Sequence, residues 1–380
     1  MNRYLSIDVL RGVIMIIMAL DHVIGAIAVH PAPEISLPGS FYFKGYTSDA
    51  QQWSRLLTHL CAPGFQLLAG MGLAISVVRA TKAGTSQGKI TLDLLIRGVV
   101  LILADFIIMY PIFKVTIFFM VLACIGSCTL CFLVLRWLPR DLIGIVGLAI
   151  IFLAPVYGPT AFTQLTGERY LLDIWTKVGF GKGSLGIFYP ILPWLGIFAV
   201  GWWMGLKLFE QPAEASVTRS ARMFTYTGLA CVILGMVLRM SGWTYAEALP
   251  LNGADNMQPA FWQFTKYPPS IVFMTLTVGI LLMLLGLFRW LLDGPDKTIP
   301  LWANVVAVYG RTAFFYFIAH FYLIGVIALF LGQEGVTNPD LKLSFGMAYF
   351  IWIVVLFIMF PLCYFYDRLR QRYRKVLRYF

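Results

Sequence analysis

Residues 6–23, SIDVLRGVIMIIMALDHV, decide the fold. The run is long enough to cross a hydrocarbon layer as a helix. Yet it holds Asp8, Arg11, Asp21 and His22, and ionisable groups in lipid are costly unless they face an interior cavity. These charges do not suit the apolar region of a cleavable signal peptide, so the segment is expected to stay as a first membrane helix.

Outward from this stretch, apolar runs of similar length recur. The spacing predicts ten membrane helices, roughly 5–28, 55–78, 92–112, 115–136, 141–157, 186–208, 222–241, 269–290, 310–331 and 344–366. The 380 residues are 59% hydrophobic and 12% charged, with a mean hydropathy of +0.79. Soluble domains average about 25% charged residues, so soluble enzymes, nucleic-acid-binding domains and disordered chains are excluded. The apolar runs are continuous rather than alternating, which argues against a membrane β-barrel. The fold class is therefore all-α, a polytopic integral membrane protein forming one domain over 1–380.

The net charge of +11 reads as the positive-inside rule rather than as a nucleic-acid footprint. With the N-terminus inside, the inner loops and ends hold Arg3, Arg79, Lys82, Lys89, Arg136, Arg140, Lys207, Arg219, Arg222, Arg289 and Lys297. The outer loops, about 29–54, 158–185 and 242–268, hold fewer cations and many aromatic residues. Both termini are thus expected in the cytoplasm, with the tail arginines 368, 370, 372, 374 and 378 against anionic headgroups. The six cysteines lie almost entirely in apolar segments and read as small packing residues. No metal site is expected, because the histidines lack ligand spacing.

Helical arithmetic places the polar residues. Arg11 and His22 are eleven residues apart, so they share a face within about 20° and stand about 16 Å apart along the axis. His59 opens the second helix at the level of His22, and the two could approach each other. Asp105 interrupts the third helix and needs a partner. Arg239 ends the seventh. Arg311 and His320 lie nine residues apart, about half a turn around the helix, so they line one channel only if the helix is irregular. Proton-coupled sugar transport and a scaffold role are alternatives to an enzyme. Intramembrane His, Asp and Arg suit transport, but no internal repeat supports it.

Five segments, YLSIDVLRG with MALDH (4–22), THLCAPGFQLLAG (58–70), YPILPW (189–194), TKYPPS (265–270) and GRTAFFYFIAH (310–320), together resemble a known family. They are similar to bacterial transmembrane acetyltransferases related to the lysosomal heparan-alpha-glucosaminide N-acetyltransferase. The resemblance implies transfer of an acetyl group from cytoplasmic acetyl-CoA to an amino sugar on the periplasmic face of a bacterial inner membrane. It also implies a homodimer. Acetylation of a cell-envelope glycan hydroxyl is the alternative.

On this reading His22 is the general base, with His59 or Asp105 orienting it or relaying its proton. Arg11, Arg97 and Arg311 hold the CoA phosphates, with His320 grouped beside them. The pantetheine arm passes Met15 and Met18. Asp21, Arg239 and Lys266 are the candidate acceptor-binding residues. The chain departs from the lysosomal pattern, which has asparagine in place of His22 and aspartate in place of His59. The lysosomal catalytic histidine falls in the next loop, where His30 is nearest.

Overall fold

The computed structural model describes residues 4–28, 48–113, 117–157, 174–176, 178–181, 185–209, 216–247, 261–294, 297–332 and 343–373. The helices are α1 (Leu5–Ile27), α2 (Asp49–Thr58), α3 (Cys61–Lys82), α4 (Gln87–Phe113), α5 (Val121–Leu135) and α6 (Arg140–Tyr157). They continue with α7 (Ile191–Phe209), α8 (Ser216–Met240), α9 (Ile271–Leu292), α10 (Leu301–Arg311), α11 (Ala313–Phe330) and α12 (Phe345–Arg372). Among the described residues, seven helical stretches are long and apolar enough to cross a membrane. The chain is a multi-pass membrane protein. α4, α5 and α6 lie outside those seven, and α5 is apolar but has only 15 residues.

Three departures from the expected helices stand out. The second expected span is two helices, because the α2 ladder ends at Thr58 and α3 restarts at Cys61 with Pro63 in its first turn. A proline there loses no intrahelical bond. The ninth, expected over 310–331, is cut near its start, since Thr312 leaves helical geometry at φ −109° and ψ 25°: Arg311 ends the separate helix α10 and α11 begins at Ala313. Finally, Ile117–Phe119, expected as helix, is strand β1. It pairs in parallel with β3 (Leu185–Ile187), which pairs antiparallel with β2 (Gly179–Gly181).

α1 is the hub, touching α2, α3, α9, α10, α11 and α12. Its approach to α10 is closest at two glycines. A Cβ on Gly12 would stand 2.0 Å from the Val306 carbonyl oxygen, and one on Gly310 would stand 1.9 Å from that of Asp8. Side chains at either position would force the helices apart, and small residues are what let membrane helices approach this closely. Gly70 and Gly201 do the same between α3 and α7. Serines close several helix starts: Ser270 Oγ accepts from Phe273 N at 3.0 Å, and Ser344 Oγ from Met347 N at 3.3 Å.

Candidate active site

At the Arg11 end of α1 there is a cavity of about 320 Å³. Four guanidinium groups line it, from Arg11, Arg97, Arg311 and Arg370, on four different helices. Three of these are the arginines grouped by sequence analysis. The fourth was expected at the membrane surface with the rest of the tail. α12 instead turns Arg370 inward. Its Nη2 lies 3.3 Å from Asp367 Oδ1, while Arg311 Nε donates to Asp367 Oδ2 at 2.8 Å. One carboxylate thus spaces two guanidiniums. Arg11 Nη1 donates to Asp8 Oδ1 and to the Gly310 carbonyl, both at 3.3 Å. The Arg11, Arg311 and Arg370 side chains keep 23%, 22% and 26% of their surface exposed. They are anchored but still reachable by an anion.

The cavity continues past Met15, on the α1 stripe between Arg11 and His22, to Phe317. The Phe317 ring meets His320 edge-on at 5.9 Å. His320 in turn meets His22: Nε2 of His320 lies 2.7 Å from Nδ1 of His22, and the rings stack at 5.0 Å. Phe321 covers His22 at 4.2 Å. His320 Nδ1 lies 2.8 Å from the Tyr316 carbonyl oxygen, one turn back on α11. His320 is therefore the ring beside His22, whereas sequence analysis grouped it with the phosphate-binding arginines. The break at Thr312 is what permits both placements. Arg311 ends α10 at the cavity, and His320 on the separate helix α11 reaches α1.

His59 and Asp105 occupy other places. His59 is buried against Phe273 at 5.3 Å and Phe264 at 6.5 Å. Asp105 Oδ2 accepts from the backbone N–H of Met120 and of Ala123, both at 2.9 Å. These are donors at the N-terminus of α5 that the helix itself leaves unsatisfied. The carboxylate thus caps α5 and ties it to α4. It also fixes the chain just after β1. Among the described residues, Asp105 Oδ1 has no hydrogen-bond partner.

The His22 end of α1 meets a second polar layer. Asp21 Oδ1 accepts from Arg55 Nη1 at 2.9 Å. Tyr189, from the YPILPW segment, faces Tyr267, from TKYPPS, with hydroxyls 3.4 Å apart. Burial, with Tyr267 alongside, pushes the Tyr189 hydroxyl well above the usual phenol range. Lys266 is buried over the Tyr267 ring at 5.1 Å.

Glu247 holds this segment in place. It accepts from Thr265 N at 3.1 Å, Thr265 Oγ1 at 2.5 Å and Ser270 Oγ at 2.6 Å. Arg239 is buried near Phe261 and Phe264, and its Nε donates to the Phe261 carbonyl at 2.9 Å. Its donor braces the 261–264 segment. His30 lies outside the described residues. Among the described residues, no group of three or more His, Cys, Asp or Glu could hold a metal ion.

The family described as heparan-alpha-glucosaminide N-acetyltransferase, catalytic, matches residues 3–236. That is more than half of the 380-residue chain. The chain belongs to this family. No curated protein matches it. Membership in the heparan-alpha-glucosaminide N-acetyltransferase family makes it a transmembrane acetyltransferase. The matched region carries Arg11, Arg97, His22 and the YPILPW segment. Arg311, Arg370, His320 and TKYPPS lie beyond it. The fold nevertheless joins members of the two sets: Arg11 and Arg97 share the cavity with Arg311 and Arg370, His22 meets His320, and Tyr189 meets Tyr267.

Sequence reasoning missed Asp367, Arg370 and Arg55. Arg370 stands three residues beyond Asp367 on one helix face, a pairing visible in the sequence. The link from Asp367 to Arg311 spans 56 residues and left no local trace.

Proposed function

We propose that the protein transfers the acetyl group of cytoplasmic acetyl-CoA to the amine of an amino sugar on the periplasmic face of a bacterial inner membrane. In this reading ten helices cross the membrane and both termini are cytoplasmic. The four-arginine cavity then faces the cytoplasm. Its guanidiniums bind the CoA phosphates, which suit their planar, forked donors. At about 320 Å³ the cavity is near the lower end for ligand pockets. It takes the diphosphate and the start of the pantetheine arm, and the nucleotide extends toward the mouth. The arm follows α1 past Met15 and delivers the thioester to His22.

His22 is the general base. It accepts the proton of the attacking amine as the C–N bond forms and the C–S bond breaks. Asp21 with Arg55, and Lys266, orient the acceptor. Because only an acetyl group crosses, no charged cofactor has to pass through lipid.

One observation carries the reading. In a chain of this family, a single helix connects a cavity lined by four arginines, Met15 and Phe317 to a histidine pair, with the Phe317 ring against His320. The test is binding of acetyl-CoA to the detergent-purified protein, followed by transfer to glucosamine. Binding with N-acetylglucosamine formation is expected, and both should depend on the intact site. Absence of acetyl-CoA binding by folded protein would refute it. Acetylation of glycan hydroxyls but not of amines would move the acceptor to the alternative class.

A further inference from the structure

For two neutral rings, the contacts of the histidine pair imply one arrangement of their protons. A backbone carbonyl oxygen only accepts hydrogen bonds. His320 Nδ1, 2.8 Å from the Tyr316 carbonyl, must therefore carry a hydrogen. In the neutral ring the other nitrogen, Nε2, is then an acceptor. That nitrogen stands 2.7 Å from His22 Nδ1, so His22 Nδ1 is the donor. His22 in turn holds its lone pair on Nε2.

We infer that His320 is a positioning residue that fixes His22 in the Nδ1–H tautomer and so makes Nε2 its basic nitrogen. Which ring nitrogen bears the proton is set by the bond the other makes. Here that bond runs inward, from α1 to α11. Phe321 at 4.2 Å from His22 and Tyr316 stacked at 5.3 Å on His320 hold both ring planes. His320 is completely buried.

This assignment deepens the proposed function and rests on it for its chemical consequence. The acceptor amine forms the bond to the acetyl carbon and gives its proton to His22 Nε2. The C–S bond breaks, and the same proton passes from Nε2 to the leaving thiolate, giving amide and free CoA thiol. His320 cannot relay a proton onward, because its Nδ1 faces a carbonyl that cannot accept one. The proton therefore returns through Nε2, and no base is consumed per turnover. A misplaced ring proton costs about 10⁴-fold in the serine-protease triad, which sets the scale for losing this partner.

The test has two parts. Nitrogen-15 NMR of histidine-labelled full-length protein, with single-histidine variants for assignment, reads the tautomers directly. A protonated Nδ1 and unprotonated Nε2 are expected for His22 at a pH where it is neutral. The opposite tautomer overturns the assignment whatever the activity. Absence of acetyl transfer in protein that shows the expected tautomer would instead refute the proposed function alone.

Kinetics give the second part. Glutamine puts an acceptor oxygen near the place of Nε2, so His320→Gln should keep kcat within about tenfold. His320→Asn keeps the donor to Tyr316 but not that acceptor. It should lose about 10²-fold or more in kcat with KM for acetyl-CoA unchanged. Equal losses in the two folded variants would also overturn the inference.

Discussion

Replacing one arginine of the C-terminal tail should separate a built binding site from a merely basic surface. Arg368, Arg370 and Arg372 fall within five residues, yet the structure gives them different surroundings. Arg370 lines the cavity and is paired with Asp367 at 3.3 Å. Arg368 lies over the Tyr364 ring at 4.6 Å and Arg372 over the Tyr373 ring at 5.6 Å. A charge-assisted hydrogen bond contributes about 1.5–3 kcal/mol. Arg370 is 26% exposed, so the lower end applies, about 1.5 kcal/mol, or roughly a tenfold change in affinity. Arg370→Gln should therefore raise the Kd for acetyl-CoA about tenfold. Arg368→Gln should leave it within about twofold.

The assay is binding of radiolabelled acetyl-CoA to detergent-purified protein, at matched ionic strength and with thermal unfolding as a fold control. Asp367→Asn provides the internal check. It loosens both Arg311 and Arg370, and should weaken binding while adding net positive charge. A simple attraction between charges predicts the opposite sign. Equal weakening by Arg368→Gln and Arg370→Gln, or tighter binding by Asp367→Asn, would refute the reasoning.

Other outcomes follow from the same geometry. Gly310→Ala puts a methyl carbon 1.9 Å from the Asp8 carbonyl oxygen. It should cost about 1–3 kcal/mol of stability and weaken acetyl-CoA binding by moving Arg11 and Arg311 apart, read by Tm and Kd. Gly84→Ala, in a turn where a Cβ meets nothing within 4 Å but φ is +76°, should lower Tm slightly and leave Kd unchanged. Asp105→Asn keeps an acceptor oxygen for the α5 amides and should retain most activity, whereas Asp105→Ala should lose about 0.5–2 kcal/mol of stability. Near-complete loss of kcat in a stably folded Asp105→Asn would return Asp105 to the chemistry. Glu247→Ala removes the acceptor of Thr265 and Ser270 and should lower Tm, with a rise in acceptor KM through displaced Lys266.

How much was legible in the sequence differs between the two ends of the site. The arginines and Met15 could be grouped because hydropathy makes each intramembrane charge conspicuous and helix periodicity fixes its face. Arg11, Arg97 and Arg311 do line one cavity. The histidine partnership was not legible. His22 and His59 sit at one level on consecutive helices, but level does not fix azimuth, and His59 turns toward Phe273. His320 looked turned away from Arg311 because helical arithmetic assumes an unbroken helix, and Thr312 breaks it. Asp105 illustrates a further limit. A buried carboxylate in an apolar run signals a need for donors, and backbone amides of the next helix meet that need as well as any side chain. The three-strand sheet joins residues 117–119 to 179–187, a pairing without local periodicity long enough to read.

In the proposed reaction one protein draws acetyl groups from one side of a membrane and delivers them to the other. The most direct measurement uses sealed proteoliposomes of known orientation, with radiolabelled acetyl-CoA confined to the side of the four-arginine cavity and glucosamine confined to the opposite side. Labelled N-acetylglucosamine should appear only on the glucosamine side, and its formation should be abolished in His22→Ala although acetyl-CoA still binds. Product formed only when donor and acceptor share a compartment, or undiminished transfer by His22→Ala, would contradict it.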